Sequence, residues 1–170
     1  MLPTGSREVP NEPFETFAVG ATPMLFKTAW LLTRDRHAAE DLVQETLVKV
    51  FPRWERSGPG VDNPYGYART TLLRTFLKAR KRRSSSEVPV AEPDEPRPQP
   101  GHDPTLSVAL TQELMRLPSL DRAILVLRYY EDQSVAEVGE QLSLTESAVR
   151  SRASRAVAVL RSRLSSDITV

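Results

Sequence analysis

The 170-residue chain is 39% hydrophobic and 26% charged with a formal net charge of +1, enough apolar residues for one ordinary domain or two small ones. Its longest unbroken apolar run is five residues, as in Ala123 to Leu127, far short of the ~20 that a membrane-spanning helix needs. It has no cysteine, which excludes disulfides, a thiolate nucleophile and a thiolate metal site.

Residues 1–13 carry three prolines and nothing like the apolar segment of a secretory signal, so they read as a flexible tail of a cytoplasmic protein. Phe14 to Thr33 follows as a helix with apolar Phe17, Ala21, Leu25, Phe26, Ala29 and Leu32, which Pro23 should kink or break. The clearest helical period is Asp35 to Trp54, where Ala39, Leu42, Val43, Thr46, Leu47, Val50, Phe51 and Trp54 define one buried face. Opposite them, Asp41, Gln44 and Glu45 surround Val48. Periodicity alone favours a plain solvent face there over a docking surface.

Asn63-Pro64 opens a third helix, because proline's missing N–H costs nothing in a first turn. It runs to about Arg83 with Ala68, Leu72, Phe76 and Ala79 recurring every three to four residues, while Arg74, Lys78 and Lys81 share another side. Lys78 to Arg83 holds five cations in six residues, more than a helix dipole requires and enough to neutralise several phosphates. Residues 61–83 carry seven Lys/Arg against one acid, whereas residues 84–105 carry one against five and six of the fourteen prolines. Such a stretch reads as an extended tether, at roughly 3 Å per residue, able to hold two folded units well apart.

Beyond it, Ser119 to Tyr130 is an apolar helix ended by a Glu131-Asp132-Gln133 turn. Ser134 and Glu137 form a capping box for a short helix, Val135 to Leu142. Ser143-Leu144 turns the chain, and Thr145 caps a long helix to about Leu164. This is a helix-turn-helix pattern. On the last helix Val149, Ala153, Ala156, Leu160 and Leu164 make a buried stripe. Ser147, Arg150, Ser151, Ser154 and Arg155 face the other way, with the short side chains and arginines that a major-groove helix needs.

At this point the chain resembles the extracytoplasmic-function sigma factors of bacterial RNA polymerase, especially their small actinobacterial SigE-like group. The resemblance rests on residues 31–46 (LLTRDRHAAEDLVQET) for region 2, and on Leu117-Pro118, residues 125–130 (LVLRYY) and residues 134–163 for region 4. It implies an all-α fold of two small helical domains, 14–83 and 106–166, joined by the Pro-rich acidic linker 84–105. The implied partners are core RNA polymerase and promoter DNA, with an anti-sigma factor as a further candidate. No cofactor, metal or small-molecule substrate is expected.

By the same resemblance the segment Asp41, Leu42, Val43, Gln44, Glu45, with Val48, docks on the polymerase, which reverses the solvent-face reading. Arg69, Arg74, Lys78, Arg80, Lys81, Arg82 and Arg83 inherit a role at the minus-10 element. Tyr65 and Tyr67 sit where aromatics stack on melted DNA, and both are equally readable as core residues. Ser147, Arg150, Ser151, Ser154 and Arg155 inherit the minus-35 element. Three positions depart from the family pattern: Arg74 replaces a usual asparagine, Gly139 a common alanine and Ser143 a common glycine. Ser154 also stands where a larger side chain often sits, so promoter sequence does not carry over. An enzyme is disfavoured, because His37 and His102 are isolated and no phosphate loop or metal-ligand spacing exists. The nearer alternative is a stand-alone helix-turn-helix regulator that binds duplex DNA without polymerase.

Overall fold

A computed structural model describes residues 13–57, 62–85 and 108–167. The expected tail up to residue 12 and most of the expected linker, His102 included, lie outside the described residues. Among the described residues every regular element is helical: α1 Phe14–Thr33, α2 Arg36–Ser57, α3 Pro64–Ser85, α4 Val108–Met115, α5 Ser119–Leu125 continued by a π-helical turn Val126–Tyr130, α6 Val135–Leu142 and α7 Glu146–Asp167.

Helices α1 to α3 form an antiparallel set around Leu25, Ala29, Leu32, Ala39, Val50, Ala68 and Leu72, each with at most 2% of its surface exposed. Pro23 does not break α1, which is continuous through it. The carbonyl that loses its donor belongs to exposed Val19, where water can serve it. Arg34 takes a left-handed conformation (φ 54°) to end α1, and the Asp35 carboxylate accepts from the Ala38 N–H at 2.6 Å to start α2. At the open end Phe17 stacks on Trp54 with centroids 4.6 Å apart, and Phe14 meets the edges of Phe51 and Trp54. Phe51 is therefore partly exposed yet packed. Asn63 caps α3 by accepting from the Gly66 N–H at 2.8 Å, so the Asn-Pro entry works as its chemistry requires. Ala79 is exposed, contrary to the apolar period of α3, because by that turn α3 has run past the bundle; Leu73 and Thr75 are buried in its place.

In the second half, α7 packs on α4, α5 and α6 through Val149, Ala153, Ala156 and Leu160. Leu164 is only half-buried. The buried Glu113 carboxylate receives Arg116 at 2.5 Å and Arg163 at 3.4 Å, and Asp121 receives Arg152 at 2.7 Å. The capping box is complete: Ser134 Oγ accepts from the Glu137 N–H, and the Glu137 carboxylate accepts from the Ser134 N–H at 2.7 Å. These bonds hold the Glu137 carboxyl below its usual range. Ser143 adopts φ 56°, the turn conformation glycine would take without cost. A Cβ on Gly139 would lie 2.8 Å from the Leu144 carbonyl oxygen, so the α6–α7 turn closes directly over a bare glycine.

The two halves touch. Helices α1 and α3 lie against α4, α5 and the π-helical turn. The described helices are thus packed together, where a proline-rich tether suggested separated units.

Candidate nucleic-acid interface

The long helix α7 presents Ser147, Arg150, Ser151, Ser154 and Arg155 on one exposed face, opposite its buried stripe. Three serines leave the backbone close to the surface, and two guanidiniums flank them. Arg150 is held by Glu146 at 2.6 Å and Arg155 donates to the Ser151 carbonyl at 3.3 Å, contacts on the open surface that yield readily to a stronger acceptor. Thr145 Oγ1 accepts from the Ala148 N–H at 3.1 Å and fixes the start of this helix. Beside the exposed face runs a groove of about 400 Å³ lined by Arg128, Tyr129, Val135, Arg150, Ser154 and Arg161, among others.

On α2, Asp41, Gln44, Glu45 and Val48 are all exposed, Val48 at 71%. Lys49 bridges Glu45 (2.6 Å) and Thr75 of α3 (3.0 Å), which ties the patch to the rigid bundle. Leu42 and Val43 require a correction. They are 7% and 4% exposed and sit in the core on the apolar stripe, away from the exposed face of Asp41, Gln44, Glu45 and Val48.

The third set divides. Lys78, Lys81, Arg82 and Arg83 are exposed at the far end of α3, and Arg80 lies with its guanidinium 5.5 Å from the Phe76 ring centre. Tyr67 is also exposed. Tyr65, Arg69 and Arg74 instead meet the second half of the chain. Arg69 Nη1 donates to Glu131 Oε2 at 3.0 Å, Tyr65 OH donates to Glu131 Oε1 at 3.2 Å, and Thr28 Oγ1 donates to the same Oε1. The Arg69 and Glu131 side chains are 11% and 8% exposed. Burial, then the Glu131 charge, push the Tyr65 phenol up to about 12. Thr70 donates to the Gln141 side chain at 3.2 Å and Arg74 Nε to the Gln141 carbonyl at 3.4 Å, while the Gln133 amide lies between Arg69 and Gln141.

Thr28, Glu131, Gln133 and Gln141 were not singled out by sequence reasoning. Their partners stand as much as 103 residues away along the chain, and no local period marks such a pairing. Nearby, Arg122 is 2% exposed with no carboxylate on it among the described residues, donating to the Met115 carbonyl at 3.1 Å and lying 5.6 Å from the centre of the Phe76 ring. Burial and the adjacent Arg80 charge lower its pKa to about 10.

Two family descriptions cover most of this architecture: "Sigma-70 region 2" matches residues 21–86, and "Sigma-70, region 4" matches residues 107–160. The chain belongs to the sigma-70 family. The ECF RNA polymerase sigma factor SigE of Mycolicibacterium smegmatis is 33% identical to it over 148 residues, 82% of this chain. The RNA polymerase sigma-E factor of Streptomyces avermitilis is 27% identical over 157 residues, 90% of this chain. The chain spans 57% of the length of the first relative and 86% of the second. These matches put this sigma-70 protein in the extracytoplasmic-function group. The sigma factor RpoE of Bartonella quintana, solved in complex with the anti-sigma factor NepR, shares the fold with a TM-score of 0.72 at 24% identity, covering 89% of this chain and 96% of that one. Region 2 thus corresponds to α1–α3 and region 4 to α4–α7.

Proposed function

We propose that this chain is a SigE-like sigma factor that binds core RNA polymerase in the cytoplasm and directs initiation at promoters with defined minus-10 and minus-35 elements. It performs no chemistry itself. The observation that carries the reading is the pairing, in one chain, of an exposed acid-and-amide patch on α2 with an exposed Ser/Arg face on α7. A stand-alone regulator needs only the second.

The units that act are residues 14–83 and 106–166. Asp41, Gln44, Glu45 and Val48 offer polymerase two carboxylates, an amide and an aliphatic centre on a helix whose other face is locked in the core. Such a patch suits a cationic partner surface with an apolar middle. Arg150 and Arg155 reach base edges or phosphates in the upstream major groove, and the short side chains of Ser147, Ser151 and Ser154 let the helix approach. Lys78 and Arg80 to Arg83 neutralise downstream phosphates. Tyr65, Tyr67, Arg69 and Arg74 complete the downstream surface, with Tyr67 already exposed to stack on an unpaired base. An anti-sigma factor is a candidate partner for the same surfaces.

The test is promoter-dependent transcription by purified core polymerase with and without this chain, alongside core pull-down by the D41R/Q44R variant. The variant should fold normally, since exposed sites typically shift stability by about 0.5 kcal/mol or less, and it should lose core binding. Full retention of core polymerase by the folded variant refutes the docking assignment.

A further inference from the structure

The groove beside the Ser/Arg face of α7 has a volume of about 400 Å³, within the roughly 300 to 1,000 Å³ usual for small-molecule sites. Its walls come from three elements. The π-helical turn supplies Arg128 and Tyr129, the start of α6 supplies Val135, and α7 supplies Arg150, Val157 and Arg161 among others. Three guanidiniums thus line one groove, and no acidic side chain lines it with them. Little holds these cations. Arg161 is exposed and forms no ion pair among the described residues. Arg128 donates Nη1 to the Gln133 carbonyl and keeps its other N–H groups. Arg150 has only its surface pairing with Glu146, which yields readily to a stronger acceptor. Tyr129 is 67% exposed, and its ring stacks on no other ring or guanidinium among the described residues.

We propose that this groove binds a phosphorylated nucleoside, with its phosphates among Arg128, Arg150 and Arg161 and its base on the Tyr129 ring above the aliphatic floor of Val135 and Val157. Guanidiniums grip phosphate oxygens through paired, charge-assisted hydrogen bonds, so a phosphate chain is the anion best suited to three of them. An exposed aromatic ring offers a stacking face to any base. Duplex DNA brings the phosphates but keeps its bases stacked inside the helix, and a simple anion brings charge without a planar group. A nucleotide brings both at once, and its sugar and base shed water against the valines. Arg150 and Ser154 also belong to the proposed upstream DNA face, so a nucleotide in the groove withdraws them from promoter DNA. That competition rests on the DNA-binding reading of α7, and the nucleotide site itself does not.

The test is calorimetric titration of the full chain with ATP, GTP, pyrophosphate and adenosine in separate runs. The tighter nucleotide should bind more strongly than pyrophosphate on the order of tenfold, the share owed to the stacked base, and adenosine should bind weakest. Y129A and R161A should each weaken nucleotide binding by about tenfold and fold as the parent does, since both sites are exposed. K81A/R82A/R83A removes the other exposed cation cluster and should bind nucleotide as the parent does. Nucleotide should also displace a fluorescent duplex from the parent chain at concentrations that leave the Y129A/R161A complex intact. Nucleotide binding no tighter than that of pyrophosphate, or unchanged in Y129A and R161A, overturns the site. Nucleotide bound with duplex binding undiminished overturns the competition. Failure of the underlying reading has a different signature, in which the parent chain gives no promoter-dependent transcription with core polymerase while nucleotide still binds through Tyr129 and Arg161.

Discussion

Gly139→Ala tests whether the helix-turn-helix geometry depends on the close approach of the Leu144 carbonyl to α6. The new Cβ would lie 2.8 Å from that oxygen, where ordinary contact begins at 3.4 Å, so about 0.6 Å of movement is required by simple difference. The oxygen is backbone and cannot rotate aside. It sits in a turn already held by the Leu144 N–H bonding the Gly139 carbonyl at 2.8 Å and by Ser143 at φ 56°. Forced overpacking typically costs about 1 to 3 kcal/mol, and alanine returns ~1 kcal/mol of helix propensity. The expected net is a loss of roughly 1 kcal/mol, a fall in Tm of about 2 to 4 °C for a chain of this size. Thermal unfolding of the full chain is the assay. Ser143→Gly should do the reverse, because removing a left-handed L-residue gains ~1 to 2 kcal/mol and the extra freedom of the unfolded chain takes back about 0.4 to 1 kcal/mol. A turn relaxed by Ser143→Gly should also accommodate the methyl group that Gly139→Ala introduces, so the double variant should be more stable than the two single effects sum to. A Gly139→Ala variant whose Tm is unchanged or raised would refute the reasoning.

R150A and R155A should each relax base preference at the upstream element, by about 1 to 3 kcal/mol at one base pair if a bidentate contact is lost, whereas the K81A/R82A/R83A variant should weaken all promoters alike and reduce the log-log salt slope by nearly one unit per lost phosphate contact. Holoenzyme binding to a promoter library at several salt concentrations separates the two; uniform loss in the R150A and R155A variants would make α7 a phosphate clamp only. For Tyr65, burial raises the phenol from 10.0 to about 12. Below pH 10 it is protonated in folded and unfolded chains alike. As pH rises from 10 toward 12 the unfolded chain ionises it first, so the stability it contributes is lost across that window. Urea unfolding of wild type and Y65F from pH 9 to 12 reads this directly: the difference between them should shrink as pH rises, and a constant difference would argue against it.

The helical periods of α2 and α7, the Asn63 and Thr145 caps and the Ser134/Glu137 box were legible in the residues because each depends on neighbours within about one turn. For the same reason the exposed faces at Asp41 to Val48 and Ser147 to Arg155 could be placed from spacing alone. Leu42 and Val43 share a contiguous motif with Asp41, Gln44 and Glu45 yet are buried, because a helix sends adjacent side chains to different faces. Ala79 is exposed for another reason, since a period continues in sequence after the bundle that gives it meaning has ended. Pro23 could not be judged locally: whether a lost hydrogen bond breaks a helix depends on whether the orphaned carbonyl reaches water, as that of exposed Val19 can. The Gly139 approach and the contacts that Thr28, Tyr65 and Arg69 make to Glu131 required tertiary structure outright. A carboxylate in a turn has no period, and its value to Tyr65 and Arg69 arises only when helices 62 or more residues apart exclude water around it together.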